Sequence, residues 1–175
     1  MESTIKLNLG CGFKQMVGYI GVDAFGNPDV KHDLNSFPYP WDDNTVSEIQ
    51  AHHIMEHLDD WWPAFLECAR ILKPGGILEI RVPDAASVGA LTYRDHFHVF
   101  SLLSFHGIQG AEHGTSAWAA EEKNEVPLKL TGYHQVPHKQ YNWMTYRPFR
   151  WLLAFCANHM RNFIWEQRFI FEKVG

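Results

Sequence analysis

The chain has 175 residues, of which 46% are hydrophobic and 20% charged, and its formal net charge is −5. That is long and apolar enough for one domain with a real core, and too apolar for disorder. Without a clustered Lys/Arg surplus, the composition weighs against a nucleic-acid partner. The cysteines, Cys11, Cys68 and Cys156, are scattered and odd in number, with no CxxC pair. Free thiols in a reducing, cytoplasmic setting are therefore expected. Met1 to Thr4 run straight into a strand pattern, so neither a signal peptide nor a membrane span is expected.

Ile5, Leu7 and Leu9 alternate with Lys6 and Asn8, and Gly10-Cys11-Gly12 follows. This reads as a strand entering a turn whose backbone comes close to something. Tyr19 to Asp23 is a second short strand ending in an acid. The connection between them leaves room for one helical turn at most. Asp23 suits both hydroxyls of a ribose lying over the glycine turn. It follows Gly12 by eleven positions, and position 15 is Gln15, so the GxGxxG dinucleotide fingerprint is not met.

Asp29 to Leu34 is a third strand candidate and Thr45 to Ala51 a fourth. Asp59-Asp60-Trp61-Trp62-Pro63 opens a helix, with aspartate as its cap and proline in its first turn. Leu58, Trp62, Phe65, Ala69 and Leu72 fall at helical spacing and are core candidates. Lys73-Pro74-Gly75-Gly76 stops the helix. Ile77 to Val82 is a fifth strand, and Asp84 can cap a short helix after it. From Tyr93 to Trp143 regularity weakens and histidines and aromatics crowd in, which suits a loop-rich cap. Thr145 is expected to cap a helix running through Ala157. Phe163, Trp165, Phe169 and Phe171 share one parity, as in a final strand.

In this order, Leu7-Asn8-Leu9-Gly10-Cys11-Gly12, Tyr19-Ile20-Gly21-Val22-Asp23, Asp33-Leu34, Ala51-His52-His53-Ile54-Met55-Glu56-His57-Leu58 and Leu72-Lys73-Pro74-Gly75-Gly76 resemble the class I S-adenosylmethionine-dependent methyltransferases. The likeness is to small bacterial and phage members and covers roughly residues 5–83. It implies an α/β, Rossmann-like methyltransferase fold. The central sheet would be mostly parallel with helices on both faces, the N-terminal helices reduced, and residues 1–175 a single domain with a cap near 93–143. It also implies the cofactor S-adenosylmethionine. Leu9, Gly10, Cys11 and Gly12 would meet its methionine portion, and Asp23 and Ala24 its ribose. Asp33 and Leu34 would meet its adenine, and Ala51 and His52 would flank the sulfonium. The acceptor implied is a hydroxyl of a sugar, glycan or other small molecule, with His98 or His52 as general base. Asn8 stands where the family usually has an acid, and Lys14 where a third glycine is common.

Two other readings compete. His53-Ile54-Met55-Glu56-His57 is a literal H-x-x-E-H, which on a helix would serve a zinc hydrolase with a third ligand from Glu121, Glu122 or Glu125. A non-catalytic cofactor-binding module is the other. The methyltransferase reading needs no metal ligand.

Overall fold

A computed structural model describes residues 4–105, 108 and 126–175. Seven strands form one sheet: β1 Ile5–Leu9, β2 Ile20–Asp23, β3 Val30–Lys31, β4 Val46–His52, β5 Leu72–Pro83, β6 Leu128–Pro137 and β7 Ile164–Lys173. Their order is β3-β2-β1-β4-β5-β7-β6. The first five run parallel, and β7 enters antiparallel between β5 and β6. Among the described residues the α-helices are α1 Trp61–Ile71, α2 Val88–Thr92 and α3 Arg150–His159. This is a Rossmann-like α/β architecture with a mostly parallel sheet, as expected.

Strand order reverses between β1 and β4, and ligands of such sheets sit at the carboxyl ends of strands flanking that reversal. Right-handed crossovers stepping in opposite directions also lie on opposite faces. The β4-to-β5 crossover carries α1. On its face Leu7, Leu9, Ile49, Ala51, Leu78, Ile80, Val82, Phe169 and Phe171 are buried. The crossovers from β1 to β2 and from β2 to β3 lie on the other face and contain no helix. Lys6, Glu48, Glu79, Arg81 and Arg168 alternate with the core positions and pair with one another there. Lys6 Nζ is 2.7 Å from Glu48, and both Arg81 (2.7 Å) and Arg168 (2.5 Å) reach Glu79. The alternation of β1 and β5 thus places a dry face against a charged one.

The α1 sequence works as expected at both ends. The Asp60 carboxylate accepts the Trp62 N–H at 3.0 Å. At the other end Lys173 Nζ donates to the carbonyls of Arg70 (3.2 Å) and Leu72 (2.8 Å), satisfying orphan acceptors at the negative end of the helix. Phe65, Cys68 and Ala69 are buried, Phe65 5.3 Å from Phe171 and 5.5 Å from Phe105. Phe100 and Phe105 come from the aromatic-rich second half and complete this core.

Four local expectations are corrected. Strand β3 is two residues long, because Asp33 folds back to accept the Asn35 N–H at 3.0 Å and ends it. Residues 128–137 form a full strand inside the stretch expected to be loop-rich. A register shift between Leu130 and Gly132 had broken its alternation. Ser87, not Asp84, caps α2, its hydroxyl accepting the Ala90 N–H, while Asp84 accepts the Ala86 N–H in the preceding turn. Thr145 ends a 3-10 segment, Lys139–Thr145, by donating to the Asn142 carbonyl. A second 3-10 turn, Arg147–Phe149, leads into α3. Pro148, in the first turn of a helix, is what the sequence offered in place of a side-chain cap.

Candidate active site

The turn after β1 is built by close backbone approach. Gly10 has φ +70°, and a Cβ there would lie 2.7 Å from Ile54, so only glycine fits. Gly12 has φ +53° with open space where its Cβ would be. The Asp23 carboxylate, at the end of β2, accepts the N–H of Gly12 at 2.8 Å and of Phe25 at 2.9 Å. One acid thus fixes both the glycine turn and the turn after β2. Each of its oxygens keeps a further lone pair for a ligand.

Two clefts open at the carboxyl ends of β1, β2 and β4. One, of about 420 Å³, is lined by Asp23, Ala24, Asp33 and Leu34 together with Ile54, His57, Asp95 and Phe97. The other, of about 450 Å³, is lined by Asn8, Gly10, Cys11, Lys14 and His52 together with His53, Arg81 and Glu166. Ile54 lines the first cleft and packs on Gly10 of the second, so its side chain stands at their boundary.

The anticipated residues divide accordingly. Asp23, Ala24, Asp33 and Leu34 gather in the first cleft, and Gly10, Cys11 and His52 in the second. The side chains of Leu9 and Ala51 face the apolar core, at 1% and 0% exposure. Gly12 meets the site through Asp23. His98 lines neither cleft. Its Nε2–H donates to the carbonyls of Leu58 (2.9 Å) and Asp59 (3.2 Å), tying its segment to the start of α1. Asp95, Phe97, Arg81 and Glu166 join the clefts without a site signal of their own in the sequence. Glu166 reaches the second cleft from β7, 113 positions beyond its partner His53, a separation no local pattern reveals.

Adjacent histidines in this cleft hold opposite charge states. His52 Nε2 lies 3.2 Å from Glu79 Oε1. Burial, with Arg81 alongside, pushes the His52 imidazole below its usual 6.5, so it is neutral near pH 7. Donation from Nε2–H to Glu79 then leaves Nδ1 as a basic nitrogen. His53 sits at φ +53° and bridges Glu166 (2.7 Å) and Glu56 (3.3 Å). These two carboxylates raise it to about 9, so it is an imidazolium at pH 7. Burial disfavours the charged form of Glu166, and His53 more than compensates, holding it below its ordinary value.

The H-x-x-E-H helix does not form. The 3-10 turn spans only Met55–His57, and His53 lies outside it, directed to Glu166, while His57 Nδ1 is directed to the Asp95 carbonyl at 2.9 Å. The two imidazoles of the motif therefore diverge. Glu121, Glu122 and Glu125 lie outside the described residues.

The family model "Methyltransferase domain" matches residues 7–80, the part of the chain that builds both clefts. None of the curated proteins compared matches the chain. Among solved structures, a Haloferax volcanii complex of the Trm112 methyltransferase activator with a protein assigned as a methyltransferase is similar over 99% of this chain and 84% of that one, at 13% identity and TM-score 0.60. A SAM-dependent methyltransferase from Archaeoglobus fulgidus is similar over 98% and 87%, at 15% identity and TM-score 0.57. Phosphoethanolamine N-methyltransferase 2 of Haemonchus contortus, in complex with S-adenosyl-L-methionine, is covered over half its length by the whole of this chain, at 14% identity and TM-score 0.59. At these identities the structures speak for the fold, while the matched residues 7–80 carry the ligand-facing turns. Residues 7–80 thus carry the sequence pattern of a methyltransferase domain, on a fold shared with solved S-adenosylmethionine-dependent methyltransferases.

Proposed function

We propose that the chain is a single-domain S-adenosylmethionine-dependent methyltransferase whose cofactor spans both clefts, and that the acceptor is a small molecule offering a hydroxyl, such as a sugar or glycan. Asp23 takes the ribose hydroxyls on its remaining lone pairs. Asp33 and Leu34 take the adenine, the carboxylate accepting its amino group and the leucine packing on the ring. The backbone of Gly10 and Cys11 lies against the methionine portion. When bound, S-adenosylmethionine supplies a methyl group activated for in-line displacement, so the protein's main task is alignment.

A hydroxyl nucleophile must also lose a proton. His52 Nδ1 accepts it, while Glu79 holds the opposite nitrogen and favours the imidazolium that results. The observation that carries this reading is the neutral His52 in a cleft crowded with polar groups: Asn8, Lys14, Gln15, Arg81 and Glu166. These donors and acceptors suit a polyhydroxylated acceptor better than an apolar one. His98, already committed to two carbonyls, supports the cap from outside. No described helix is long and apolar enough to cross a membrane. The three cysteines are free and buried, which suits the reducing compartment expected of the chain.

The test is transfer of labelled methyl from S-adenosylmethionine to a panel of monosaccharides, glycosides, phenols and amines. The expected result is label on hydroxyl acceptors, with kcat/KM falling as pH drops below the ordinary imidazole value of 6.5. Labelling of amines alone, or an acid limb of the pH profile left unchanged by His52→Asn, would overturn the hydroxyl and His52 assignments.

A further inference from the structure

Beside the first cleft, three side chains are left in an arrangement the methyl transfer does not use. Glu56 is 1% exposed, and one of its oxygens, Oε1, receives His53. The other, Oε2, is buried with no hydrogen-bond partner. Leaving a carboxylate oxygen dry and unpaired is costly, so something cationic or protic belongs there. His96 Nδ1 is likewise buried and unpartnered. His57 completes the group. Its Nδ1 faces the Asp95 carbonyl at 2.9 Å, with the Asp95 carboxylate at 3.4 Å, so the nitrogen left for a ligand is Nε2.

A histidine whose far N–H is held by a carbonyl or carboxylate is how metal-bound imidazoles are oriented and made basic. The rings of His57 and His96 meet edge to face at 4.7 Å. One donor atom from each of Glu56, His57 and His96 lies within 4.8 Å of the other two. Tetrahedral zinc at about 2.0–2.1 Å from its ligands needs donor separations of about 3.4 Å, which side-chain rotations of roughly 1 Å supply.

We propose that Glu56 Oε2, His57 Nε2 and His96 Nδ1 form a binding site for one divalent cation of zinc's class. Two imidazoles and a carboxylate are a borderline donor set, matched to Zn²⁺ or Co²⁺ and mismatched to Mg²⁺, which prefers oxygen. Three protein donors leave at least one position for water. The site joins the 3-10 turn after β4 to the segment around residue 96. The backbone already begins this junction, the Glu56 carbonyl accepting the Phe97 N–H at 2.8 Å. Asp95 and Phe97, on either side of His96, line the first cleft, so a bound cation pins that wall in place. The site differs from the H-x-x-E-H reading in excluding His53 and recruiting His96.

The test uses the full chain, stripped with a chelator and titrated with Zn²⁺ by calorimetry, with Co²⁺ by visible absorption, and with Mg²⁺. The expected result is one Zn²⁺ per chain, a Co²⁺ spectrum of low coordination number and no Mg²⁺ binding. His96→Ala and Glu56→Gln should each weaken Zn²⁺ by at least about tenfold, the scale of losing even a supporting contact at a metal site. His53→Gln, which keeps a donor for Glu56, should retain it. Failure of wild type to bind Zn²⁺, or undiminished binding by His96→Ala, would overturn the site. Should Glu56→Gln not fold, the half-buried His96→Ala carries the test alone.

Discussion

The two clefts are built from the same β1 turn yet have opposite characters. The first takes most of its polar groups from carboxylates, Asp23, Asp33 and Asp95, beside Asn35 and His57, and its walls from Leu34, Ile54 and Phe97. The second is a web of paired charges, with His53, Arg81 and Glu166 around a single neutral imidazole. The division follows the sheet. The first cleft lies over β2 and β3, which supply turns and acids. The second lies where the charged face of β4, β5 and β7 reaches their ends. Recognition of a nucleoside calls for shape and a few fixed acceptors. Proton removal calls for one group held off its ordinary protonation state by its neighbours.

Three perturbations probe this division. The largest effect is expected at the second cleft. His52→Asn should lower turnover by about 10²–10⁴-fold, the usual worth of a positioned base, while cofactor binding by calorimetry stays near wild type. A parallel loss of cofactor affinity would mean that His52 belongs to cofactor recognition instead. Next comes the first cleft. At a ligand concentration about 100 times the dissociation constant, wild type should gain about 2.7 kcal/mol on binding S-adenosylmethionine, a rise of roughly 5–11 °C in melting temperature. Asp23→Ala should abolish most of that rise, losing the ribose acceptor and the Gly12 anchor together.

The smallest effect should fall on the charged web. The folded-state pKa of His53 is raised to about 9 from 6.5. Its contribution to stability is therefore fully present below pH 6.5 and is lost as pH rises through about 9. His53 is two-fifths exposed, so solvent screening keeps the contribution to about 1 kcal/mol or less. The difference in melting temperature between wild type and His53→Gln should shrink between pH 6.5 and 10. A difference flat across that range would show that the bridge to Glu56 and Glu166 does not depend on the imidazolium.

The first half of the fold was legible because its signals are local. Ile5, Leu7 and Leu9 alternate, Asp60 caps, and Pro74 stands just past the end of α1 at Ile71, each within a few residues of the element concerned. The lining of the first cleft was legible for the same reason, since Asp23, Asp33 and Leu34 each end or follow a recognisable strand. The second cleft was half hidden. His52 could be named, but its neutrality depends on burial and on Arg81 across the sheet, against the pull of Glu79, and His53 takes its charge from Glu166 on β7. Strand β6 was masked by the shift at Gly132. Phe100 and Phe105, read as part of an aromatic cap, belong to the core because β7 places Phe169 and Phe171 against Phe105. In each case the missing information was a partner far along the chain.

The insertion of β7 between β5 and β6 also sets a timetable for synthesis. The carbonyl of Arg70 waits for Lys173, 103 residues downstream. At ribosomal rates of about 5–20 residues per second, that interval is roughly 5–20 s. Once made, β5 stands as an open edge for most of it, with Leu78, Ile80 and Val82 along one side. Such an edge is a template for the wrong neighbour. A nascent chain of this protein therefore carries an association-prone edge before it can close it, and its yield in cells should depend on what shields that edge during those seconds.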